Sequence, residues 1–416
     1  MADEGRLIQS VESRILDLPP SCVEFCPAHP SYFVVGTYSL QTESPESPEK
    51  DDSDEEDEPS PTKKPQNRNG SIVAFRLTDG GIAHIQTVPQ PSALLDLRFN
   101  PHQGSRDIFA AVSSTATLAV FRFCPDDDDE PQPIQHLHTM DITAMSRDGS
   151  ITPSAASEKG EILFLSFGWH PARADMLALT TNTGHVYLVH LPAFDGSGGG
   201  GWTLEPEPVI THSLETWCVA LSSVPGAPGA ASPALRVYSG GDDSALRFQT
   251  CRWDGEGPVV WGGLPAAVDK RGHDAGVTAI LPLLLQEDGS ELVVTGSYDE
   301  HIRLFEVPLL GRIKKVAELG LGGGVWRLKL IHLDRRSGQE GSWSARILAS
   351  CMHAGARIVE LQPAESGELE FRVLARFEEH KSMNYGSDVQ PGWQNKDRLS
   401  VVSTSFYDKL LCSWEF

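Results

Sequence analysis

The chain has 416 residues, with 57 acidic against 34 basic side chains and a formal charge of −23, which argues against nucleic acid or anionic lipid as a direct ligand. No apolar run approaches the roughly 20 residues that span a bilayer, and the opening M-A-D-E-G-R lacks the apolar core of a signal peptide. Seven scattered cysteines without a Cys-x-x-Cys pair speak against a disulfide framework or a zinc site, so a reduced, cytoplasmic monomer with no cofactor and no metal is expected.

In chain order, Arg6 to Glu12 reads as a strand with no local partner. It is followed by V-E-F-C-P-A-H-P-S-Y-F-V-V-G-T, an apolar strand running through a Pro-containing turn into a second apolar strand. Residues 41–69 hold E-S-P-E-S-P-E-K-D-D-S-D-E-E-D-E-P-S-P-T-K-K-P, which has almost no apolar content and is expected to be a disordered acidic loop before a strand at Ser71 to Leu77. The strand–turn–strand pattern returns in L-R-F-N-P-H-Q-G-S-R-D-I-F-A-A-V-S and in L-S-F-G-W-H-P-A-R-A-D-M-L-A-L-T. Asp126 to Glu130 is a second acidic insertion, and Gly196 to Gly201 and Val224 to Pro233 read as flexible loops.

From Thr211 the pattern gains a histidine. T-H-S-L-E-T-W-C-V-A leads to Y-S-G-G-D-D-S-A-L-R-F, aligning His212, Asp242 and Phe248. The clearest copy is R-G-H-D-A-G-V-T-A-I-L-P, then E-L-V-V-T-G-S-Y-D-E-H-I-R-L-F-E-V. A Gly-His pair, an apolar strand, a strand ending in Ser-Tyr-Asp and a third alternating strand make up a WD-repeat propeller blade, with Phe305 where the signature has Trp. The blade brings His273 to Asp299, so a hydrogen bond between them, extended to Ser297, is expected to pin the turn. A further copy runs through G-G-G-V-W-R-L-K-L and I-L-A-S-C-M-H-A-G-A-R-I-V-E-L, with His353 in the place of the turn Asp. The last opens at Glu379-His380 and closes with S-F-Y-D-K-L-L-C-S-W-E-F. Three units before Thr211 and four after it predict an all-β, seven-bladed propeller filling one domain, 1–416. Arg6 to Glu12 is expected to pair with Lys409 to Glu415 and close the ring.

A propeller is a binding platform and does not itself disclose an activity. Four departures from the repeat are more telling: S-L-E-T-W at Ser213 to Trp217, G-G-G-V-W-R at Gly322 to Arg327, S-C-M-H-A-G at Ser350 to Gly355, and E-H-K-S-M-N-Y-G-S-D at Glu379 to Asp388. All fall at strand ends expected to gather on one face around the channel. Together with the terminal S-F-Y-D-x-x-L they resemble the WD-repeat diphthine methylesterases of diphthamide synthesis, a family historically labelled diphthine methyltransferase. Lys409 departs from the His expected of relatives at that place. The resemblance implies hydrolysis of the methyl ester of over-methylated diphthine, with elongation factor two as the protein partner. No Gly-rich loop in a strand–helix setting supports a bound methyl donor. The alternative from a different class is a non-catalytic WD-repeat adaptor.

Ester hydrolysis needs a base, a nucleophile or activated water, and donors for an oxyanion. No G-x-S-x-G elbow or H-E-x-x-H motif is present. His353 is the leading base, and Cys351, two residues before it, is either its nucleophilic partner or a core thiol. His380 is either catalytic or the structural histidine of its blade, bonded to Asp408. Ser382, Tyr385 and Asp388 form either a polar cluster or a turn, and Glu215 either activates water or holds an ion pair. The trimethylammonium that the resemblance implies donates no hydrogen bond and suits aromatic faces. Trp217, Trp326 and Tyr385 are the candidates for a cage, or else ordinary packing between blades. Gly322, Gly323 and Gly324 either admit the modified side chain or offer backbone N–H groups.

Overall fold

The computed structural model describes residues 5–40, 68–79, 81–125, 132–141, 162–192, 202–205, 207–224, 233–252, 260–261, 266–309, 312–335, 343–392 and 398–416. Among them every regular element is a strand, and the strands form seven small sheets, the seven blades of a β-propeller. No helix of the described residues is long and apolar enough to cross a membrane. The acidic stretch at 41–67, the insertion at 126–130, the glycine run at 196–201 and residues 225–232 lie outside the described residues. The strand after the acidic stretch begins at Arg68 rather than Ser71.

Each blade is a meander. The innermost strands are Pro20–Phe25, Leu94–Phe99, Phe164–Trp169, Cys218–Val224, Val277–Leu285, Arg327–Arg335 and Gly386–Val389, and all seven line the central channel. Second strands such as Ile108–Ser113 and Glu291–Ser297 are buried at every residue, because a neighbouring blade covers each face. That is why I-F-A-A-V-S reads as a continuous run rather than an alternation. The cores sit between blades. One cluster joins Val112, Leu118 and Val120 of blade two to Phe167, Leu177 and Leu179 of blade three.

Ring closure differs in register from the expectation. Ser10–Ile15, not Arg6 to Glu12, forms the outer strand of blade seven, antiparallel to Leu410–Glu415. Arg6–Ile8 instead runs parallel to Leu369–Phe377, the outer strand of blade six. The N-terminal segment thus crosses from one blade to the next. Glu379 accepts the Ser10 N–H at 3.0 Å, and Glu12 accepts the Ile82 N–H of blade one at 2.6 Å, so three blades are tied by one short segment.

The turn networks also differ. His273 does not reach Asp299. Its Nε2 lies 2.7 Å from Thr295 Oγ1, while Asp299 accepts the Asp274 N–H at 2.9 Å and pairs with Arg303 at 2.7 Å. The expected imidazole–carboxylate pair forms in blade four, but through Asp243, one residue beyond the Asp242 the alignment suggested. There His212 Nδ1 is 2.8 Å from Asp243 and Nε2 is 2.8 Å from Ser239. In blade seven His380 Nε2 is 2.9 Å from Ser403 Oγ, which also accepts the Trp414 indole N–H, so His380 is not bonded to Asp408.

Candidate functional site

Three hairpin turns share one register. Gly240 pairs with Leu246, Gly296 with Ile302 and Ser350 with Ala356, so the central turn residues are Asp243, Asp299 and His353. His353 therefore takes the place of the turn carboxylate. The residue before each centre is Asp242, Tyr298 or Met352, and the first two meet one aromatic cluster, Asp242 through Trp217 and Tyr298 through Trp326.

Trp326 is the hub of that cluster. It directly precedes the inner strand of blade six, and its backbone N–H bonds Ser350 O at 2.8 Å, which fixes its entry. Its ring lies 5.5 Å from Trp217, 5.9 Å from Tyr298 and 5.0 Å from Tyr385. All four rings are partly exposed. The chain of rings continues from Tyr385 to Phe406 at 5.5 Å and on to Tyr407 at 5.0 Å. Trp217 and Trp326 also line a cavity of about 100 Å³ in the channel. The fold therefore brings Trp217 and Tyr385, two of the three rings expected to form a cage, against the third, Trp326, and adds Tyr298 to the group.

Acid groups stand beside the rings. The Trp217 indole donates to Asp242 Oδ1 at 2.6 Å, and the Asp242 backbone N–H bonds Glu215 O at 2.9 Å. A Cβ on Gly276 would lie 2.8 Å from Asp242 Oδ1 and 3.0 Å from the Tyr298 ring, so these two side chains flank the same stretch of backbone. Burial raises Asp242 above the usual carboxylate range. The Trp217 bond opposes this, and the nearby charges of Glu215 and Asp243 add to it. Glu215 is partly exposed and forms no ion pair among the described residues. An apolar wall with two carboxylates matches a cation that cannot donate a hydrogen bond.

The glycines are explained by the neighbouring turn. A Cβ on Gly323 would collide with Cys351 O, and one on Gly324 would sit 2.7 Å from Met352 Sδ. They let the segment before Trp326 press onto the blade-six hairpin. Met352 itself has φ 42°, left-handed for a non-glycine residue, and bridges to Asn384.

The remaining candidates separate. Cys351 is fully buried in the core between blades five and six, its thiol donates to Ala349 O at 3.7 Å, and burial pushes it up to about 12. His353 is exposed and has no hydrogen-bond partner among the described residues, so the two are not paired. His380 is buried against Phe377 at 5.1 Å, and burial lowers it to about 4. Asp388 lies farther down the channel, accepting the Phe25 N–H at 2.7 Å and pairing with Lys329 at 3.1 Å. Ser382 accepts the Tyr407 N–H at 2.8 Å and shapes a turn.

No protein-family profile matches the chain. A protein of Schizosaccharomyces pombe named diphthine methyltransferase is 24% identical over 416 residues, covering 100% of this chain and 99% of its own. One of the same name from Saccharomyces cerevisiae is 23% identical over 450 residues, covering 99% and 98%. The chain is thus similar along its length to proteins named diphthine methyltransferase. A mouse protein of that name is 26% identical over 392 residues, covering 92% of this chain and 69% of its own. These likenesses span every blade, including the hairpins that carry the cluster.

Two cluster residues do not stand out in the sequence. Asp242 reads there as the turn Asp of its blade, and Tyr298 as part of the S-Y-D signature. The signal for Asp242 is the D-D doublet, since one blade needs only one turn carboxylate. For Tyr298 it is an aromatic one residue before that carboxylate, a place shared with Asp242.

Proposed function

We propose that this protein hydrolyses the methyl ester of methylated diphthine on elongation factor two. Whole-length homologues named diphthine methyltransferase support a role in diphthamide biosynthesis. The observation that carries the finer reading is the Trp326 hub, ringed by Trp217, Tyr298 and Tyr385 and flanked by the Trp217-bound carboxylate of Asp242. In this reading the rings hold the trimethylammonium, and Asp242 with Glu215 supplies the opposing charge. His353 takes a proton from water at the mouth of the site. The water oxygen adds to the ester carbonyl carbon, the bond to the methoxy oxygen breaks, the methoxy group leaves as methanol with the proton His353 took, and the new acid's remaining proton passes to solvent, so that a carboxylate remains. Water is preferred to Cys351 because that thiol is buried and strongly protonated.

Hydrolysis rather than methyl transfer is favoured by what Gly322 to Gly324 do. Gly323 and Gly324 pack onto a hairpin, Gly322 supplies a left-handed φ of 82°, and the run leads into a strand, whereas a glycine loop that cradles a nucleotide cofactor opens a helix. Incubating the purified protein with methylated-diphthine elongation factor two, without a methyl donor, should remove one methyl group's mass and release methanol. An unchanged mass, or a methyl gained only when a donor is supplied, would overturn this reading.

A further inference from the structure

We infer that a basic groove on the outer side of blades four and five binds an acidic polypeptide segment. The groove, of about 790 Å³, is lined by Arg247, Lys270, Arg271, Arg312 and Lys315, with Asp269 as the one carboxylate among the described lining residues. Such a concentration is unexpected by chance in a chain with 57 acidic and 34 basic side chains. Local carboxylates answer only part of it. Asp243 engages Arg247 at 2.9 Å and Glu318 engages Lys315 at 2.7 Å. The side chains of Lys270, Arg271 and Arg312 meet no carboxylate among the described residues, although the Arg271 backbone N–H bonds Asp269 at 2.9 Å. The Nε of Arg247 is buried and makes no hydrogen bond, so a donor stands ready for an incoming acceptor.

The geometry favours a peptide. The outer edge of blade four carries two short strands, Val260–Trp261 and Ala267–Asp269, and Val268 on the second is 42% exposed and lines the groove with Ile313. An apolar floor under a cationic rim suits side chains of a polypeptide, and three guanidinium groups match carboxylates in a bidentate way. A long polyanion such as RNA would meet the acidic remainder of the surface, whereas a short acidic segment feels mainly charges within a Debye length of about 8 Å. The groove also adjoins the candidate site. Asp243 holds Arg247, and Asp242 beside it holds Trp217, so one hairpin turn serves both. The inference does not depend on the proposed chemistry.

The test uses fluorescein-labelled decaglutamate and polarisation. Wild-type protein should bind it with an affinity that falls as salt rises. Arg271→Glu combined with Arg312→Glu, both exposed positions, should weaken binding by about tenfold or more. Arg335→Glu, exposed on blade six, should leave it unchanged. Circular dichroism melts would establish that each variant is folded. An absence of wild-type binding, equal binding by the double variant, an equal loss in Arg335→Glu, or tighter binding of a single-stranded RNA decamer would each overturn the inference. Because the assay reads no ester, its failure leaves the methylesterase reading standing, and the converse also holds.

Discussion

A single indole joins the aromatic rings at the channel mouth. Trp326 touches three other rings, each from a different blade, so truncating it removes the shared wall of the cage. Trp326→Ala should weaken binding of a quaternary ammonium by about 1–2 kcal/mol, readable as a loss of tetramethylammonium-induced quenching of the remaining indoles. Neopentyl alcohol, of like shape but uncharged, should show little difference between the two proteins. Asp242→Asn should raise KM while leaving kcat nearly intact, whereas His353→Ala should lower kcat with binding retained. Cation binding by the wild type should also weaken as pH falls through the raised Asp242 range, and Asp242→Asn should remove that dependence. If His353→Ala is fully active, the base lies elsewhere in the cluster. The aromatics were legible because tryptophan at the entry of an inner strand is conspicuous. The thiol–imidazole pair was not. Cys351 and His353 share a face only on a continuing strand, and the strand ends at Ser350, so the hairpin turns them apart.

At the level of elements, the turns and the closing strand each have a separate signature. Burial works to raise Asp243 and Asp299, but the bonds from His212 and Arg247, and from Arg303, hold both at about 2. The unfolded chain ionises aspartate near about 4. The folded values are depressed, so this stabilisation is complete above about pH 4 and is lost as pH falls toward about 2. Melting temperature should therefore drop over that window, and Asp243→Asn with Asp299→Asn should flatten the drop; an unaltered slope would mean other carboxylates govern it. The closing segment divides in two. Removing residues 1–8 deletes the parallel pairing with blade six, the buried Ile8 side chain and the Arg6–Phe416 contact, whereas removing 1–15 also strips blade seven to three strands and leaves Glu379 and the Ile82 N–H without their partners. The longer truncation should lower the melting temperature far more than the shorter. Equal melting of the long truncation and the full chain would exclude a closing role. That a strand here closes the ring could be read from its lack of a local partner. Its register could not, because Val11 and Ile15 stay exposed at 66% and 79%, so no buried face specifies the pairing.

Across the whole ring, the channel is held by charges that no local sequence pattern announces. Asp96 of blade two accepts Arg327 of blade six at 2.7 Å, Arg98 at 3.1 Å and the Ser166 hydroxyl of blade three at 2.7 Å. Lys329 of blade six joins Glu24 of blade one at 2.9 Å to Asp388 of blade seven at 3.1 Å. Two of these pairs, Asp96 with Arg327 and Glu24 with Lys329, are more than 200 positions apart along the chain, which is why the repeat predicted seven blades but not what crosses between them; Asp388 was accordingly read as part of the substrate site. Burial works to raise Asp96, yet Arg327 and Arg98 outweigh it and hold the carboxyl below its usual range. Its side chain is wholly inaccessible, so it depends on those partners. Arg327→Met should then cost about 3–5 kcal/mol, since a buried charge loses its main counter-ion. Adding Asp96→Asn should recover part of that loss, because the uncompensated charge disappears while Ser166 keeps an acceptor. Urea midpoints of the two variants decide the matter. If the double variant is less stable than Arg327→Met alone, Asp96 contributes through its hydrogen bonds to the ring and not through its charge.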